Sequence, residues 1–213
     1  MDKLIITISR EFGSGGRLIG KKLAERLGIN CYDRELIEKV SEESGLSPEF
    51  IENFETNATT SLIYGLLAST HTASGAFIPY DVTIGDRAFF AQSAIIRSIA
   101  SKESCVIIGR CADYILRSQP SCVNVFIRAD MEDKMQRAEM IYGMTDKNLS
   151  DRIARIDKGR ANYYRHYAGT SWGSLRLYDL CINTSISGID GAVDTILSFI
   201  KHRSPHTLAN LAQ

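Results

Sequence analysis

An apolar, β-branched run, Leu4-Ile5-Ile6-Thr7-Ile8, passes through Ser9-Arg10-Glu11-Phe12 into Gly13-Ser14-Gly15-Gly16-Arg17, and then into Leu18-Ile19-Gly20-Lys21-Lys22-Leu23-Ala24. The first part reads as a buried strand and the last as a helix from Leu18 to about Leu27. Three glycines in the four residues 13–16 permit positive φ and close approach by another group. A strand feeding a helix through such a turn restricts the chain to α/β packing. It also aims backbone N–H groups and the positive end of a helix dipole at one small volume, which suits a phosphate.

Two glycine motifs compete for this stretch. In G-x-x-x-x-G-K-[ST], with the loop ended at Gly16, Glu11 stands where the first Gly belongs. Arg17 then replaces Lys, and Leu18 replaces the hydroxyl residue. Arg17 still supplies a cation, as a planar fork instead of a point charge. Without the hydroxyl, Mg²⁺ rests on water and substrate phosphates. In G-x-G-x-x-G, Gly13 and Gly15 fit and Asp33 lies at a suitable ribose distance, but Leu18 occupies the third glycine. An ordinary strand-turn-helix with a flexible loop accounts for the glycines as well.

The 213 residues suit one α/β domain with a large core, or one domain plus a small insert. Lys and Arg total 25, as do Asp and Glu, so net charge gives no support to a general nucleic-acid role. No apolar run is long enough to cross a bilayer, and Met1-Asp2-Lys3 leads straight into the strand without a secretory signal. Cys31, Cys105, Cys111, Cys122 and Cys181 lack C-x-x-C spacing. Cys105, Cys122 and Cys181 fall in expected buried strands, where thiols act as small hydrophobes. A cytoplasmic protein acting on small molecules, with neither nucleic-acid nor membrane partners, is the expectation; oligomeric state is left open.

Beyond Gly28, strands are expected at Ile29–Tyr32, Cys105–Ile108, Cys122–Ile127 and Asp179–Asn183. Asp33 caps a helix over 34–44, and Ser47-Pro48 starts another through about Phe54. Asp86 opens a helix through about Ala100 with a stripe of Phe89, Phe90, Ala94, Ile95 and Ile99. Further helices are expected from Ala112 to Arg117, Met131 to Ile141, Leu149 to about Tyr167, and Ile189 to His202. The pattern dissolves over Asn57–Tyr80, the candidate substrate-covering insert (about 45–100 with its flanks), while 131–170 supplies candidate lid helices. Strands alternating with helices predict a three-layer α/β fold, a parallel sheet with helices on both faces. Ligands of such sheets bind at the carboxyl ends of the strands, which groups Ser9–Arg17, Asp33 and Gly109-Arg110 on one rim.

Arg110, ending a strand there, either grips a substrate phosphate through paired donors or is a surface arginine. Lys134 and Arg137 share a helix face. Arg152, Arg155 and Arg160 recur along the next helix with Asp151 and Asp157, as a lid over a polyphosphate or as a solvated ion-paired face. Asp157 and Arg160 face one ligand or pair with each other. Asp33 takes a ribose hydroxyl, takes a metal-bound water, or caps its helix. His71, His166, His202 and His206 form no metal set, and none is expected.

The segment Ile8–Arg17 followed by Ile19–Ala24 resembles the opening of the cytidylate-kinase-like proteins. Val106-Ile107-Ile108-Gly109-Arg110-Cys111-Ala112-Asp113-Tyr114-Ile115-Leu116 is similar to that family's second segment and to the Gly-Arg-Asp element of true cytidylate kinases. Asp157-Lys158-Gly159-Arg160 looks like their late D-x-x-R element. The resemblance covers about Leu4 to Ile200 and implies a P-loop nucleoside monophosphate kinase fold as a single domain. It implies transfer of the γ-phosphoryl of ATP, with Mg²⁺, to a nucleoside monophosphate. It assigns phosphate cradling to Gly13, Ser14, Gly15, Gly16 and Arg17, and substrate phosphate to Arg110. Lid roles fall on Lys134 and Arg137, and nucleotide contacts on Asp157 and Arg160. Arg17, Arg110 and Arg137 are the expected catalytic cations. The chain departs from true cytidylate kinases at Cys111, which replaces the Asp after Gly-Arg, and at Lys134 and Ala138, where those enzymes tend to carry Arg.

Overall fold

The computed structural model describes residues 3–56 and 83–203. Strand β1 (Ile5–Arg10) leads into α1 (Gly16–Leu27), then β2 (Asn30–Tyr32), α2 (Arg34–Ser44) and α3 (Pro48–Thr56). After the segment outside the described residues come α4 (Ile84–Lys102), β3 (Cys105–Ile108), the single turn α5 (Ala112–Ile115) and β4 (Cys122–Arg128). Helices α6 (Met131–Tyr142) and α7 (Leu149–Ala168), strand β5 (Leu180–Asn183) and α8 (Thr184–Arg203) complete the order.

The five strands form one all-parallel sheet in the order β2-β3-β1-β4-β5. Alternation along each central strand divides its side chains between two cores. Ile5, Cys105, Ile107 and Cys122 face the side covered by α2, α3, α4 and α7. Leu4, Ile6, Ile8, Val106, Val123, Val125 and Ile127 face α1 and α8. The expected three-layer α/β sandwich is therefore present. The chain leaves β1 toward one edge and later crosses to β4 on its other side, so β1 marks the switch point where such sheets bind ligands.

Local boundaries differ from the sequence expectation where tertiary contacts decide them. Helix α1 begins two residues early, at Gly16, because Gly15 sits in the left-handed region and acts as its N-cap. Helix α4 starts at Ile84, not Asp86. Thr83 is its N-cap and accepts from the Asp86 amide, while Asp86 answers as the acid of a capping box. Its buried face carries Gln92 and Ser93 among Ala88, Phe89, Ile95, Ile96 and Ile99, whereas Phe90 and Ala94 point to solvent. Cys181 is exposed on the edge strand β5, so it is not the buried hydrophobe expected. The α5 helix stops after one turn, and α8 runs from Thr184 across a break at Gly188. His71, His206 and the expected insert at Asn57–Tyr80 lie outside the described residues. Among the described residues no helix is long and apolar enough to cross a membrane.

Candidate active site

The turn from β1 to α1 is built by its own backbone. The Glu11 amide donates to Ile127 O at 3.0 Å, continuing the β1–β4 ladder one residue past the strand. The fully buried Ser14 hydroxyl donates to Glu11 O at 2.8 Å. Gly13 and Gly15 take φ of +73° and +85°, the left-handed steps from which anion-binding turns are built, while the Ser14 amide between them donates to Glu11 O at 3.4 Å. The first amides of α1 follow at once, and by helix geometry they lack acceptors within the helix. The resulting loop is a cradle of N–H donors at the carboxyl rim of the sheet.

Helices α6 and α7 close on this loop. A small core of Ala138, Met144, Leu149 and Ile153, with Phe12 and Met135 against it, joins them to it. The buried Lys134 ammonium lies 3.3 Å from Glu11 Oε2 and 2.6 Å from Asp157 Oδ2. The other Asp157 oxygen accepts the Phe12 amide at 2.7 Å. Arg137 Nη1 donates to Gly13 O at 3.1 Å and to Thr184 Oγ1 at 3.2 Å, and Thr184 in turn donates to Ser14 O at 2.8 Å. Arg160 donates to Arg10 O at 3.1 Å, lies 3.8 Å from Asp157, and stands 5.7 Å from the Phe12 ring. Lys134, Arg137, Asp157 and Arg160 thus converge on the β1–α1 turn between Arg10 and Gly13. Arg152 and Arg155 do not: both are exposed, and Arg152 pairs with Asp146.

Arg17 and Asp33 meet each other. Arg17 Nε is 2.5 Å from Asp33 Oδ2, and Nη2 is 3.3 Å from Oδ1. Asp33 therefore stands at the N-cap of α2 without making the side-chain cap bond expected of it. The sequence alternatives for Asp33 did not include this pairing with the loop cation, which the fold adopts in place of the cap. Among the described residues, no cluster of three or more His, Cys, Asp or Glu is placed to hold a metal. Glu11, Asp33 and Asp157, the carboxylates at the loop, each face a cation. Among the described residues, no carboxylate cage for Mg²⁺ is built.

Arg110 follows β3 on the same rim, where the Gly109 amide donates to Ile8 O at 2.9 Å. Its buried guanidinium donates to Ile51 O of α3 at 2.6 Å, on the face opposite α1. Gly109, Arg110 and Cys111 have φ of +69°, +61° and +54°. Two consecutive non-glycine residues in the left-handed region store strain that the surroundings must hold. Gln92, buried on α4, does so by donating to Arg110 O at 2.9 Å. Beneath the turn, Asp113 accepts from the Tyr164 hydroxyl at 2.6 Å, and burial pushes its carboxyl above the usual range.

Sequence reasoning passed over Arg10, Glu11, Gln92, Asp113 and Thr184. Arg10 is partly buried at the end of β1. Its Cβ and Cγ fill the space that a side chain at Gly16 would need, and its guanidinium covers Gly109. Both glycines thus leave room for this arginine, a relation that only the fold brings together.

A model of the cytidylate kinase-like family matches residues 5–186 of this chain. The chain belongs to that family. It is 26% identical over 207 residues to a cytidylate kinase of Pyrococcus horikoshii, covering 96% of this chain and 92% of the relative. A crystal structure of an uncharacterized protein from Eubacterium ventriosum superposes with a TM-score of 0.69 at 30% identity, covering 93% of this chain and 99% of the other. Shikimate kinase from Acinetobacter baumannii, solved in complex with shikimate, gives a TM-score of 0.54 at 15% identity over 95% of each chain, which speaks to the fold alone. This cytidylate kinase-like chain therefore carries a P-loop kinase fold in which the loop lacks the usual Lys and hydroxyl.

Proposed function

We propose that the protein transfers the γ-phosphoryl group of ATP to a nucleoside monophosphate. The observation that supports this reading is the convergence of Lys134, Arg137 and Arg160, all distant in sequence, on the β1–α1 turn, at Glu11, Gly13 O and Arg10 O respectively. The cradle amides bind the polyphosphate, and Arg137, already at Gly13 O, reaches it by a rotamer change. Arg17 exchanges Asp33 for phosphate oxygens, which releases Asp33 toward a ribose hydroxyl of the acceptor. Arg110, and Asp157 with Arg160, orient the acceptor phosphate and nucleoside. An oxygen of the acceptor phosphate forms a bond to the γ-phosphorus while the bond to the β–γ bridging oxygen breaks, and that electron pair leaves with ADP. Such transfer draws on positioning and charge neutralisation more than on covalent chemistry, so amides and guanidiniums suffice as actors. Mg²⁺, held by phosphates and water, neutralises phosphate charge when bound.

One observation favours a second reading, a nucleotide-binding regulator with weak or lost catalysis: the loop cation Arg17 is already satisfied by Asp33. A coupled assay of ADP release with ATP against CMP, UMP, AMP and shikimate separates them. The kinase reading predicts turnover with at least one monophosphate. Tight ATP binding without turnover of any acceptor supports the regulator instead.

A further inference from the structure

We infer that Arg10 is the cation that contacts the phosphoryl group in flight, a role that rests on the kinase reading above. Arg10 ends β1 at the switch point of the sheet, its Cα in register with Ile127 of β4. Its aliphatic stem lies against Gly16, at the start of the helix whose amides form the cradle. Its guanidinium lies over Gly109, the residue before Arg110. A Cβ at Gly16 would stand 2.6 Å from Arg10 Cβ, and a Cβ at Gly109 would overlap the guanidinium itself. The chain therefore omits two side chains along the path of one arginine. That path runs from the donor cradle to the acceptor turn, which is the route of the transferred group.

The backbone around Arg10 is held from three sides. Its carbonyl accepts from Arg160, the following amide bonds Ile127 O, and the Gly109 amide bonds Ile8 O. With its stem packed at Gly16 and its head at Gly109, the guanidinium is held in place along its length, the condition under which a donor stabilises developing charge without reorganising. The phosphoryl group in transfer spreads charge over three equatorial oxygens, which a planar fork matches better than an ammonium. The partly buried Arg10 side chain runs from Gly16 to Gly109, whereas the Arg110 guanidinium donates into α3.

The test uses a mimic of the transferred group so that its readout is binding, independent of turnover. MgADP is titrated into the protein with CMP present, with and without aluminium fluoride, for the wild type, Arg10→Met and Gly109→Ala. Arg10→Met keeps the stem against Gly16 and removes the charge. Gly109→Ala keeps the charge and displaces it. The expected result is that Arg10→Met binds MgADP within about twofold of wild type and loses about a hundredfold of the fluoride-dependent gain, the scale of one oxyanion donor. Gly109→Ala loses part of the gain, and the double variant loses no more than Arg10→Met alone. If the wild type binds MgADP and gains affinity with fluoride while Arg10→Met gains as much, the role of Arg10 is overturned and the kinase reading stands. If the wild type binds MgADP without any fluoride gain, the inference is likewise overturned. If the wild type binds no nucleotide, the kinase reading itself falls.

Discussion

Lys134 Nζ lies 2.6 Å from Asp157 Oδ2, while the second oxygen of Asp157 accepts the Phe12 amide at 2.7 Å. One carboxylate therefore ties both α6 and α7 to the backbone of the β1–α1 turn. The Lys134 side chain is 6% exposed and Asp157 16%, so the pair is desolvated, unlike the surface pairs on α1.

Removing one partner of such a pair strands a buried charge, which costs about 3–5 kcal/mol, whereas removing both costs less. Lys134→Met leaves Glu11 and Asp157 without their shared cation and is expected to lower unfolding free energy by about 3 kcal/mol. The Lys134→Met, Asp157→Asn double variant should lose less than the sum of the singles. Urea unfolding of the full double-mutant cycle measures the coupling, and additive losses would contradict it.

Gly13→Ala is predicted to disable the loop. The new Cβ would stand 2.6 Å from the Lys134 carbonyl oxygen and 2.9 Å from its Cα, both backbone atoms that cannot turn aside, at a φ of +73°. Gly28→Ala is the control, because Gly28 has φ +63° and open space around it. Gly28→Ala should cost about 1 kcal/mol and leave nucleotide affinity unchanged. Gly13→Ala should cost more and lower ATP affinity at least tenfold, read by thermal melting and calorimetric titration.

Asp113 makes stability depend on pH. Burial raises its carboxyl pKa in the folded protein above the ordinary 3.8, so the folded state keeps a proton that the unfolded chain has lost. Stability is then greatest below the unfolded value, falls as pH rises through the interval between the two, and is flat above the folded value. Asp113→Asn keeps an acceptor for the Tyr164 hydroxyl and carries no charge. It is expected to melt at or above the wild-type temperature at pH 7, with the advantage vanishing below pH 4. A lower melting temperature at pH 7 and an unchanged pH profile would count against this account.

The strands, the loop and its helix were legible because their signals are local: apolar runs, left-handed glycines and the switch from period 2 to period 3.6. Arg17, Lys134, Arg137, Asp157 and Arg160 were legible as candidates, and so was the Asp157–Arg160 pair, but their other partners were not. Whether Asp33 caps α2 or pairs with Arg17 depends on how α1 packs beside β2, which no short window of sequence records. The start of α4 was hidden because Gly85 reads as a breaker while Thr83 supplies the cap. Its buried stripe was misassigned at Phe90 and Ala94 because polar Gln92 and Ser93 occupy the inner face, Gln92 in order to reach Arg110 O. Glu11 looked like a missing glycine, and it proves to be a partner of Lys134. Arg10 and Thr184 gain meaning only when β1, β3 and α8 meet at one rim.

The proposition on which the rest depends is that the amides from Gly13 to Arg17 receive a polyphosphate. Following backbone amide resonances of labelled protein during titration with MgATP tests it most directly. The account predicts that the Gly13, Gly15, Gly16 and Arg17 amides shift furthest, and that those of Lys134 and Arg137 follow. Saturable MgATP binding that leaves these loop amides unmoved, or no binding at all, would contradict it.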